Sequence, residues 1–337
     1  MKSILVTGGA GFIGSNFARY MLDRYPEYHI VVLDVLTYAG NAANLEGLEE
    51  TGRLEFVQGD ICDSGIVDGI TKGVDAIVNF AAESHVDRSI INPGAFIETN
   101  FKGTHVLLEA VRKFGVSRFL QVSTDEVYGH VPSGASRESD SFHPRSPYAA
   151  SKASAELLAL SYVTTYDLPV VITRGGNTIG PYQYPEKVVP VFVTNALQDR
   201  SLPVYGDGSA IRGYMYVEDH CAGIDLVLHE GAAGEAYNIG TDIEINGLTL
   251  VDRVLSVLEK PESLRQFVTD RPGHDLRYSL DCAKIGALGW KSEFTFDQMM
   301  DLTVRWYQEN QDWWRAIKDG DSYKSYYKKQ YEERSAG

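Results

Sequence analysis

The chain has 337 residues, of which 44% are hydrophobic and 23% are charged, as expected for a globular protein with a sizeable core. Its formal net charge of −15 argues against nucleic-acid binding, because that function needs concentrated positive charge. No apolar run approaches the roughly 18 residues of a membrane span, and the opening MKSILVTGG turns glycine-rich too early for a signal peptide, so we expect a cytoplasmic enzyme.

The first half of the chain alternates short β-rich runs with helical patterns. Six runs read as strands: SILVTGG, HIVVLDV, LEFVQGD, AIVNFAA, RFLQVST and PVVITRG. Between them lie helical stretches such as FIGSNFARYMLDRY and GTHVLLEAVRKFG, the second with one apolar face. Apolar strands separated by helices predict an α/β fold, a Rossmann-type doubly wound parallel sheet covered on both faces.

The pattern changes after about residue 178, where Pro, Gly and Tyr become frequent. We predict a first domain over residues 1–178, with a returning segment near 207–240, and a smaller interleaved α/β domain over residues 179–337. The final stretch SYKSYYKKQYEERSAG is polar, which predicts a surface segment that frays at its end.

A glycine-rich turn follows the first predicted strand. LVTGGAGFIGSNF places Gly8, Gly11 and Gly14 between that strand and a helix, where small residues let the backbone approach a pyrophosphate. The helix N-terminus adds unpaired N–H groups. Asp34 ends the second strand, where a carboxylate binds a ribose 2′-hydroxyl and repels a 2′-phosphate. The pattern favours an NAD site over a purely structural loop.

Two further segments belong to the same predicted edge of the sheet. Asp60 follows the third strand, where it either reaches the adenine ring or caps the next helix, and the sequence leaves both open. Ala81 and Ala82 follow the fourth strand, and their small side chains leave room for the nicotinamide half.

The cysteine and histidine spacings predict neither disulfides nor a metal site. Cys62, Cys221 and Cys282 lie far apart without a CxxC pattern, which is typical of free thiols. The eight histidines show no HExxH or similar ligand spacing.

The carboxyl end of the fifth predicted strand carries the acidic pair Asp125 and Glu126 in STDEVYG. In one interpretation the two carboxylates serve acid–base chemistry, because strand carboxyl ends hold the active site in α/β folds. In the other, Asp125 caps the next element and Glu126 faces water. The preceding Thr124 is a candidate to hold a substrate hydroxyl.

A helical pattern, SPYAASKASAELLALSY, places Tyr148 and Lys152 four residues apart on one face. A tyrosine with a pKa of about 10 is a poor base, and lowering that pKa by about 3 units requires about 4 kcal/mol. A nearby ammonium and a cationic nicotinamide would supply it. We expect the tyrosinate to remove a hydroxyl proton as hydride leaves the same carbon; the alternative is an ordinary amphipathic surface.

TGGAGFIG together with YxxxK resembles the extended short-chain dehydrogenases/reductases. More narrowly, LTYAGN, AAESHVDRSI, STDEVYG, SPYAASKA, GPYQYPEK and RPGHDLRYSLD resemble the dTDP-glucose 4,6-dehydratase family, from residue 1 to about residue 315. The resemblance implies an NAD that is used and regenerated in each turnover. It also implies that Glu126 is the base at C5 and Asp125 the acid at C6, giving a 4-keto-6-deoxy sugar.

The resemblance also implies the binding residues. Those for NAD are Gly8, Gly11, Phe12, Ile13, Gly14, Asp34, Thr37, Asp60, Ile61, Ala81, Ala82, Thr99, Tyr148 and Lys152. Those for the nucleotide sugar are Ser84, Asn100, Asn177, Glu186, Lys187, Val188, Tyr205, Arg212, Asn246, Arg271 and His274. Among these, Arg212 and Arg271 are expected on the phosphates and Tyr205 on the base. Asp87 and Arg88 either position the hexose or ribose or form a structural ion pair.

One block departs from the family pattern. The family usually carries RCSNNYGPYQ where this chain reads RGGNTIGPYQ, so that Gly175, Gly176, Thr178 and Ile179 stand in place of Cys, Ser, Asn and Tyr. The segment IRGYMYV likewise departs from the family's R-D/E-W-L-Y-V. Both changes open space beside the sugar, so we expect the same chemistry on a related substrate, with another nucleotide or a bulkier sugar.

Three functions remain open from the sequence. The first is a nucleotide-sugar 4,6-dehydratase acting on dTDP-glucose, UDP-glucose or an amino sugar. The second is a nucleotide-sugar 4-epimerase, which has no use for the acidic pair, and the third is an idle NAD-binding regulator. The resemblance also implies a homodimer, formed by a four-helix bundle of the helices near residues 100–114 and 148–164.

Overall fold

A computed structural model describes residues 1–270 and 275–333 of the protein. The strands of these residues are β1 Ser3–Thr7, β2 His29–Asp34, β3 Leu54–Gln58, β4 Ala76–Asn79, β5 Arg118–Thr124, β6 Val170–Gly175, β7 Asn177–Ile179, β8 Leu202–Tyr205, β9 Ile211–Tyr216, β10 Ala236–Ile239, β11 Glu244–Asn246 and β12 Arg265–Val268. The helices are α1 Phe12–Arg24, α2 Ser64–Thr71, α3 Val86–Ile91, α4 Pro93–Phe96, α5 Thr104–Phe114, α6 Pro147–Tyr166, α7 Val188–Leu197, α8 Val217–Glu230, α9 Gly247–Val257, α10 Ala283–Ala287, α11 Phe296–Glu309, α12 Gln311–Asp319 and α13 Asp321–Tyr327.

The main sheet is parallel throughout, with seven strands in the order β10-β6-β5-β4-β1-β2-β3. The six strands from β6 to β3 follow the doubly wound dinucleotide-binding order, and β10 is added at the edge beside β6. This confirms the predicted fold class. All carboxyl ends meet at one edge, which brings the glycine turn after β1 near the residues that end β5 and β6.

Two helical layers cover the sheet, because successive strand side chains point to opposite faces. On one face α1 and α8 pack together, with Phe17 and Ile224 in a shared core. On the other face α2, α5 and α6 bury residues such as Leu107 and Ala159. Continuous apolar strands are therefore explained by burial on both sides.

A second core lies outside the main sheet. It joins α7, α9, α11 and α12 with strands of two small sheets, ordered β11-β9-β7 and β12-β8. The chain leaves the main sheet after β6, builds part of this core, and returns through α8 and β10. The domain bounds at residue 178 and at 207–240 stay predictions.

The C-terminal segment packs more closely than its polarity suggested. Helix α13 and a π-helical stretch, Lys328–Glu333, bury Tyr323, Tyr326 and Gln330. The Tyr323 hydroxyl donates to the carbonyl of Pro185 at 3.0 Å. The prediction of a surface segment was wrong for these residues, because tyrosine rings bury an apolar face while their hydroxyls find acceptors. The predicted fraying concerns the end of the segment, residues 334–337, which lies outside the described residues.

Three further properties hold for the described residues. None of their helices has the length and apolar character needed to span a membrane. Cys62, Cys221 and Cys282 carry free thiols. No group of three or more His, Cys, Asp or Glu side chains is placed to hold a metal ion.

Candidate active site

A cavity of about 360 Å³ opens at the carboxyl edge of the main sheet. At one end it is lined by the glycine turn after β1, and at the other by residues that end β5 and β6. Of the predicted cofactor residues, all line it: Gly8, Gly11, Phe12, Ile13, Gly14, Asp34, Thr37, Asp60, Ile61, Ala81, Ala82, Thr99, Tyr148 and Lys152. The sequence pattern therefore predicted a set of residues that the fold brings together.

The glycine turn leaves no space for side chains. Gly8 has a φ of 68°, and a Cβ there would lie 2.6 Å from the backbone nitrogen of Ala81. A Cβ on Gly14 would lie 2.4 Å from the carbonyl oxygen of Gly8. Helix α1 begins after Gly11 with no side-chain cap on its N–H groups. The turn thus offers bare backbone and a helix N-terminus to a pyrophosphate.

Asp34 lies buried beside this turn. Its carboxylate accepts hydrogen bonds from the backbone nitrogens of Ala10 at 3.0 Å and Leu36 at 2.8 Å. Burial raises the pKa of Asp34, and these two hydrogen bonds partly offset the rise. Each carboxylate oxygen has two lone pairs, so both retain capacity to accept from a ribose hydroxyl. The cavity fits an NAD on these grounds.

The structure excludes one of the two interpretations of Asp60. Its Oδ1 accepts from the backbone nitrogen of Cys62 at 2.8 Å, within the loop. The cap of α2 is Asp63, which accepts from the nitrogens of Gly65 and Ile66. The capping interpretation of Asp60 was therefore wrong, and Asp60 lines the cavity.

The acidic pair lies at the carboxyl end of β5, where the chain enters a 3-10 turn, Asp125–Tyr128. Thr124 caps this turn, since its Oγ1 accepts from the nitrogen of Glu126 at 3.3 Å and donates to Asp125 Oδ1 at 3.1 Å. Asp125 is buried, Glu126 is partly buried, and both line the cavity. The alternative, with Asp125 as cap and Glu126 facing water, was wrong.

The two carboxylates have a marked electrostatic consequence. Burial, followed by the neighbouring charge of Glu126, raises the pKa of Asp125 to about 7. The Thr124 hydrogen bond and the charge of Arg212 hold the rise back. With a pKa of about 7, about half of the Asp125 side chains carry a proton at neutral pH and are able to donate it.

Tyr148 and Lys152 lie on α6, which begins after the capping residue Ser146. The Lys152 Nζ donates to the carbonyl of Val122 at 2.6 Å, and burial lowers the pKa of Lys152 to about 8. Burial also raises the pKa of Tyr148, and the carboxylate of Glu126 raises it further. The expected lowering of this pKa is not produced by the chain's own groups, because desolvation opposes the tyrosinate.

Four of the predicted substrate residues line the cavity: Ser84, Asn177, Glu186 and Lys187. Lys187 Nζ donates to the carbonyl of Ser84 at 3.0 Å. Glu186 is buried and pairs with Arg88 at 2.9 Å. Arg88 also stacks 3.7 Å from the ring centre of Tyr38. Arg88 therefore positions Glu186, in place of the structural pair with Asp87 that the sequence left open.

The remaining predicted substrate residues do not line the cavity, or lie outside the described residues. The residues that do not line the cavity are Asn100, Val188, Tyr205, Arg212 and Asn246. Arg271 and His274 lie outside the described residues. Asn100 is buried, donates to Ser151 Oγ at 2.8 Å and bonds the backbone of Glu83. It supports the cavity wall.

The other residues of this group lie in several different settings. Val188 begins α7 and is exposed, and Asn246 caps α9 by accepting from the nitrogen of Thr249 at 2.8 Å. Tyr205 stacks on Tyr331 of the C-terminal segment, with ring centres 6.0 Å apart. Arg212 donates to the Asp275 carbonyl at 2.7 Å, and its charge lowers the pKa of Asp125.

Sequence reasoning missed several cavity residues. Glu83 and Tyr184 belong to segments already singled out, so the neighbouring motifs were a signal for both. His220 lies in the first turn of α8, three residues after the segment IRGYMYV, and no spacing marked it as a site residue.

The chain is similar to proteins of established type. A family model described as GDP-mannose 4,6 dehydratase matches residues 5–303. The low-salt glycan biosynthesis protein Agl12 of Haloferax volcanii is 50% identical over 304 residues, covering 90% of this chain and 98% of that protein. The dTDP-glucose 4,6-dehydratase of Streptomyces niveus is 47% identical over 323 residues, covering 94% and 96%. The crystal structure of DesIV, a dTDP-glucose 4,6-dehydratase from Streptomyces venezuelae with NAD bound, has a TM-score of 0.92 at 51% identity and covers 94% of this chain and 99% of that one.

Proposed function

The chain belongs to the GDP-mannose 4,6 dehydratase family, and we propose that it converts a nucleoside-diphosphate hexose to the 4-keto-6-deoxy product. It is an NAD-dependent hydro-lyase. The observation that carries this function is the acidic pair, with Asp125 buried and Glu126 partly buried, in the same cavity as Thr124, Tyr148 and Lys152. A 4-epimerase needs only the last three, so the pair favours the dehydratase.

The residues around the glycine turn would hold the cofactor. The bare backbone at Gly8 and Gly11 and the N-terminus of α1 suit its pyrophosphate, and Asp34 suits a ribose hydroxyl. NAD, when bound, accepts hydride from the hexose, returns it, and in its oxidised form adds a positive charge.

For oxidation at C4, the chain must remove the proton of the C4 hydroxyl. Tyr148 is placed to accept it, because it lines the same cavity as Thr124 at the carboxyl end of β5, and Thr124 acts to lower its pKa against burial. Lys152, with a pKa of about 8, is mostly protonated at neutral pH and brings a positive charge to the same face of α6. That charge favours the tyrosinate against the burial that opposes it.

For elimination, the two carboxylates act on neighbouring carbons. A ketone at C4 makes the C5 proton acidic, and Glu126 takes that proton as base. Asp125 gives its proton to the C6 hydroxyl, so that the C6–O bond breaks and water leaves as the C5–C6 double bond forms. One group must start ionised and the other protonated, and the burial of Asp125 separates the two in this way.

Turnover is expected to fall as the pH rises through about 7, because the pKa of Asp125 is raised to about 7 and only its protonated form is an acid. Below this pH the proton is present, and above it the proton is lost. The Asp125→Asn variant has no titrating acid at this position, so its slow elimination should not fall as the pH rises through about 7. A pH profile of kcat for both proteins, with oxidation followed separately, makes the comparison; identical profiles would contradict the role of Asp125.

We further propose that the preferred substrate differs from dTDP-glucose in its base or in the size of its sugar. A Cβ on Gly176 would lie 3.9 Å from Asp125 Oδ2 and 3.7 Å from the carbonyl oxygen of Gly213, so the absence of a side chain leaves room beside the acid.

A panel of dTDP-, UDP- and GDP-hexoses and amino-sugar analogues, followed by NMR of the product, tests both proposals. A 4-keto-6-deoxy product from any of them supports the dehydratase, whereas a 4-epimer that retains its oxygen supports the epimerase. Fast turnover of dTDP-glucose alone would overturn only the substrate preference.

We also propose a homodimer in the cytoplasm. Ile97 and Phe101, on the π-helical stretch Ile97–Gly103, and Leu157 on α6 are 61%, 39% and 59% exposed, an apolar surface on two adjoining helices. A second copy of the chain, paired through α5 and α6, would cover it. The cytoplasm is supported by the free thiols of the three cysteines, because thiols stay reduced in that compartment. Sedimentation velocity of the wild type and of Leu157→Asp tests the dimer: a monomeric wild type, or an unaffected variant, would contradict it.

A further inference from the structure

His220 contributes an unexplained polar group to the reaction end of the cavity. It lies in the first turn of α8, is only 2% exposed, and lines the cavity. Its Nδ1 lies 2.9 Å from Thr178 Oγ1. Its Nε2 is buried and has no hydrogen-bond partner among the described residues. A buried, unpaired ring nitrogen is costly unless a ligand satisfies it.

Glycine at position 175 makes room for this ring. A Cβ on Gly175 would lie 2.5 Å from His220 Cε1 and 2.6 Å from His220 Nε2. Gly175 ends β6 and is paired in register with Thr124 of β5. The imidazole therefore lies against the strand end that neighbours the catalytic Thr124. It approaches from the helical layer of α1 and α8, opposite the layer of α6 that carries Tyr148.

The hydrogen bonds of Thr178 determine which nitrogen of the His220 imidazole carries the proton. Burial lowers the pKa of His220 to about 4, so the imidazole is neutral at neutral pH and has one N–H. Thr178 Oγ1 also lies 3.2 Å from the carbonyl oxygen of Gly176, which can only accept. The single hydroxyl proton goes to that carbonyl, so Thr178 accepts from the Nδ1–H. Nε2 is then left with a lone pair.

We infer that Nε2 of His220 accepts a hydrogen bond from the carboxamide N–H of the nicotinamide, and that His220 is a positioning residue for hydride transfer. The inference rests on the proposed function, because it requires a nicotinamide at this end of the cavity. The hexose hydroxyls are met from the other side, by Thr124 and Tyr148. A fixed carboxamide would prevent the ring from turning over and would hold one face toward the sugar.

The test compares two cofactors that differ only in the proposed donor. The 3-acetylpyridine analogue of NAD replaces the carboxamide amino group by a methyl group and keeps the carbonyl. Titration calorimetry on the full chain, freed of bound nucleotide, gives Kd for both. We expect the wild type to prefer NAD by roughly five- to tenfold, as one hydrogen bond provides. His220→Phe, which keeps a flat ring, should bind the two equally, and His220→Gln should regain part of the preference.

A second variant tests the hydrogen bond between His220 and the carboxamide without altering the histidine itself. Gly175→Ser places a side chain where the ring lies, so it should also abolish the preference. His29→Gln, at the exposed start of β2, is the control for loss of a histidine and should keep it. Each variant is measured with both dinucleotides, and the ratio of the two Kd values is compared. A variant that weakens the binding of both equally therefore leaves this ratio unchanged.

The outcomes are distinct. A preference that persists in His220→Phe overturns the inference. A raised KM for the nucleotide sugar with an unchanged cofactor preference also overturns it, and assigns Nε2 to a sugar hydroxyl. A wild type that binds neither dinucleotide contradicts the proposed function itself.

Discussion

Replacing Glu126 with Gln is expected to stop the loss of water while leaving oxidation of the substrate intact. The amide cannot take the C5 proton, but it keeps the size of the side chain beside Asp125, and Thr124, Tyr148 and Lys152 are untouched. Product formation should fall by about 10²- to 10⁴-fold, as for loss of a general base. Reduced nicotinamide and a 4-keto sugar that retains its C6 hydroxyl should accumulate in a single turnover.

The matched control is Glu218→Gln, the same change at an exposed carboxylate of α8 that does not line the cavity. It should turn over like the wild type. If Glu126→Gln formed the 4-keto-6-deoxy product at the wild-type rate, Glu126 would not be the C5 base. If it failed to form reduced nicotinamide at all, the two carboxylates would belong to the oxidation step.

Replacing Tyr148 with Phe is expected to abolish the first step. The ring remains packed on α6 but has no hydroxyl to receive the C4 proton, so product formation should fall by about 10²- to 10⁴-fold. In contrast to Glu126→Gln, no reduced nicotinamide should appear after mixing with substrate. The affinity for NAD should stay close to that of the wild type, as titration calorimetry would measure.

Tyr162→Phe is the control on the same helix. Its hydroxyl donates to Glu109 at 2.7 Å and lies outside the cavity lining, so the change should cost little activity. Reduced nicotinamide formed by Tyr148→Phe at the wild-type rate would assign the base to another group. Glu126→Gln and Tyr148→Phe together separate oxidation from elimination. The first should form reduced nicotinamide without the 4-keto-6-deoxy product, and the second should form neither.

The sequence predicted the sheet and the cofactor end of the cavity well, because short-range physics decides both. Uninterrupted apolar runs require burial on two faces, which a doubly wound sheet provides. Gly8 and Gly14 have no alternative residue that fits their contacts, so their spacing is informative on its own. Asp125 and Glu126 come directly after the last residue of β5. Because the carboxyl ends of the strands lie at the cavity, both residues line it.

The errors arise where tertiary contacts decide. Asp60 and Asp63 are both acids ahead of α2, and only the backbone conformation shows that the second is the cap. The pKa of Tyr148 depends on how deeply α6 is buried, which the spacing to Lys152 does not reveal. The stacking of Tyr205 on Tyr331 joins residues remote in the chain and could not be predicted from a local pattern, while the contact of Tyr205 with the base stays a prediction.

The proposed reaction depends on one atom transfer: the hydrogen removed from C4 of the hexose returns to C6 of the same molecule. Turnover of a nucleoside-diphosphate hexose that carries deuterium at C4 tests this directly. We expect a 4-keto-6-deoxy product with the deuterium at C6 and a C5 hydrogen taken from the solvent. Deuterium that stays at C4 of a hexose still carrying its C6 oxygen would contradict it.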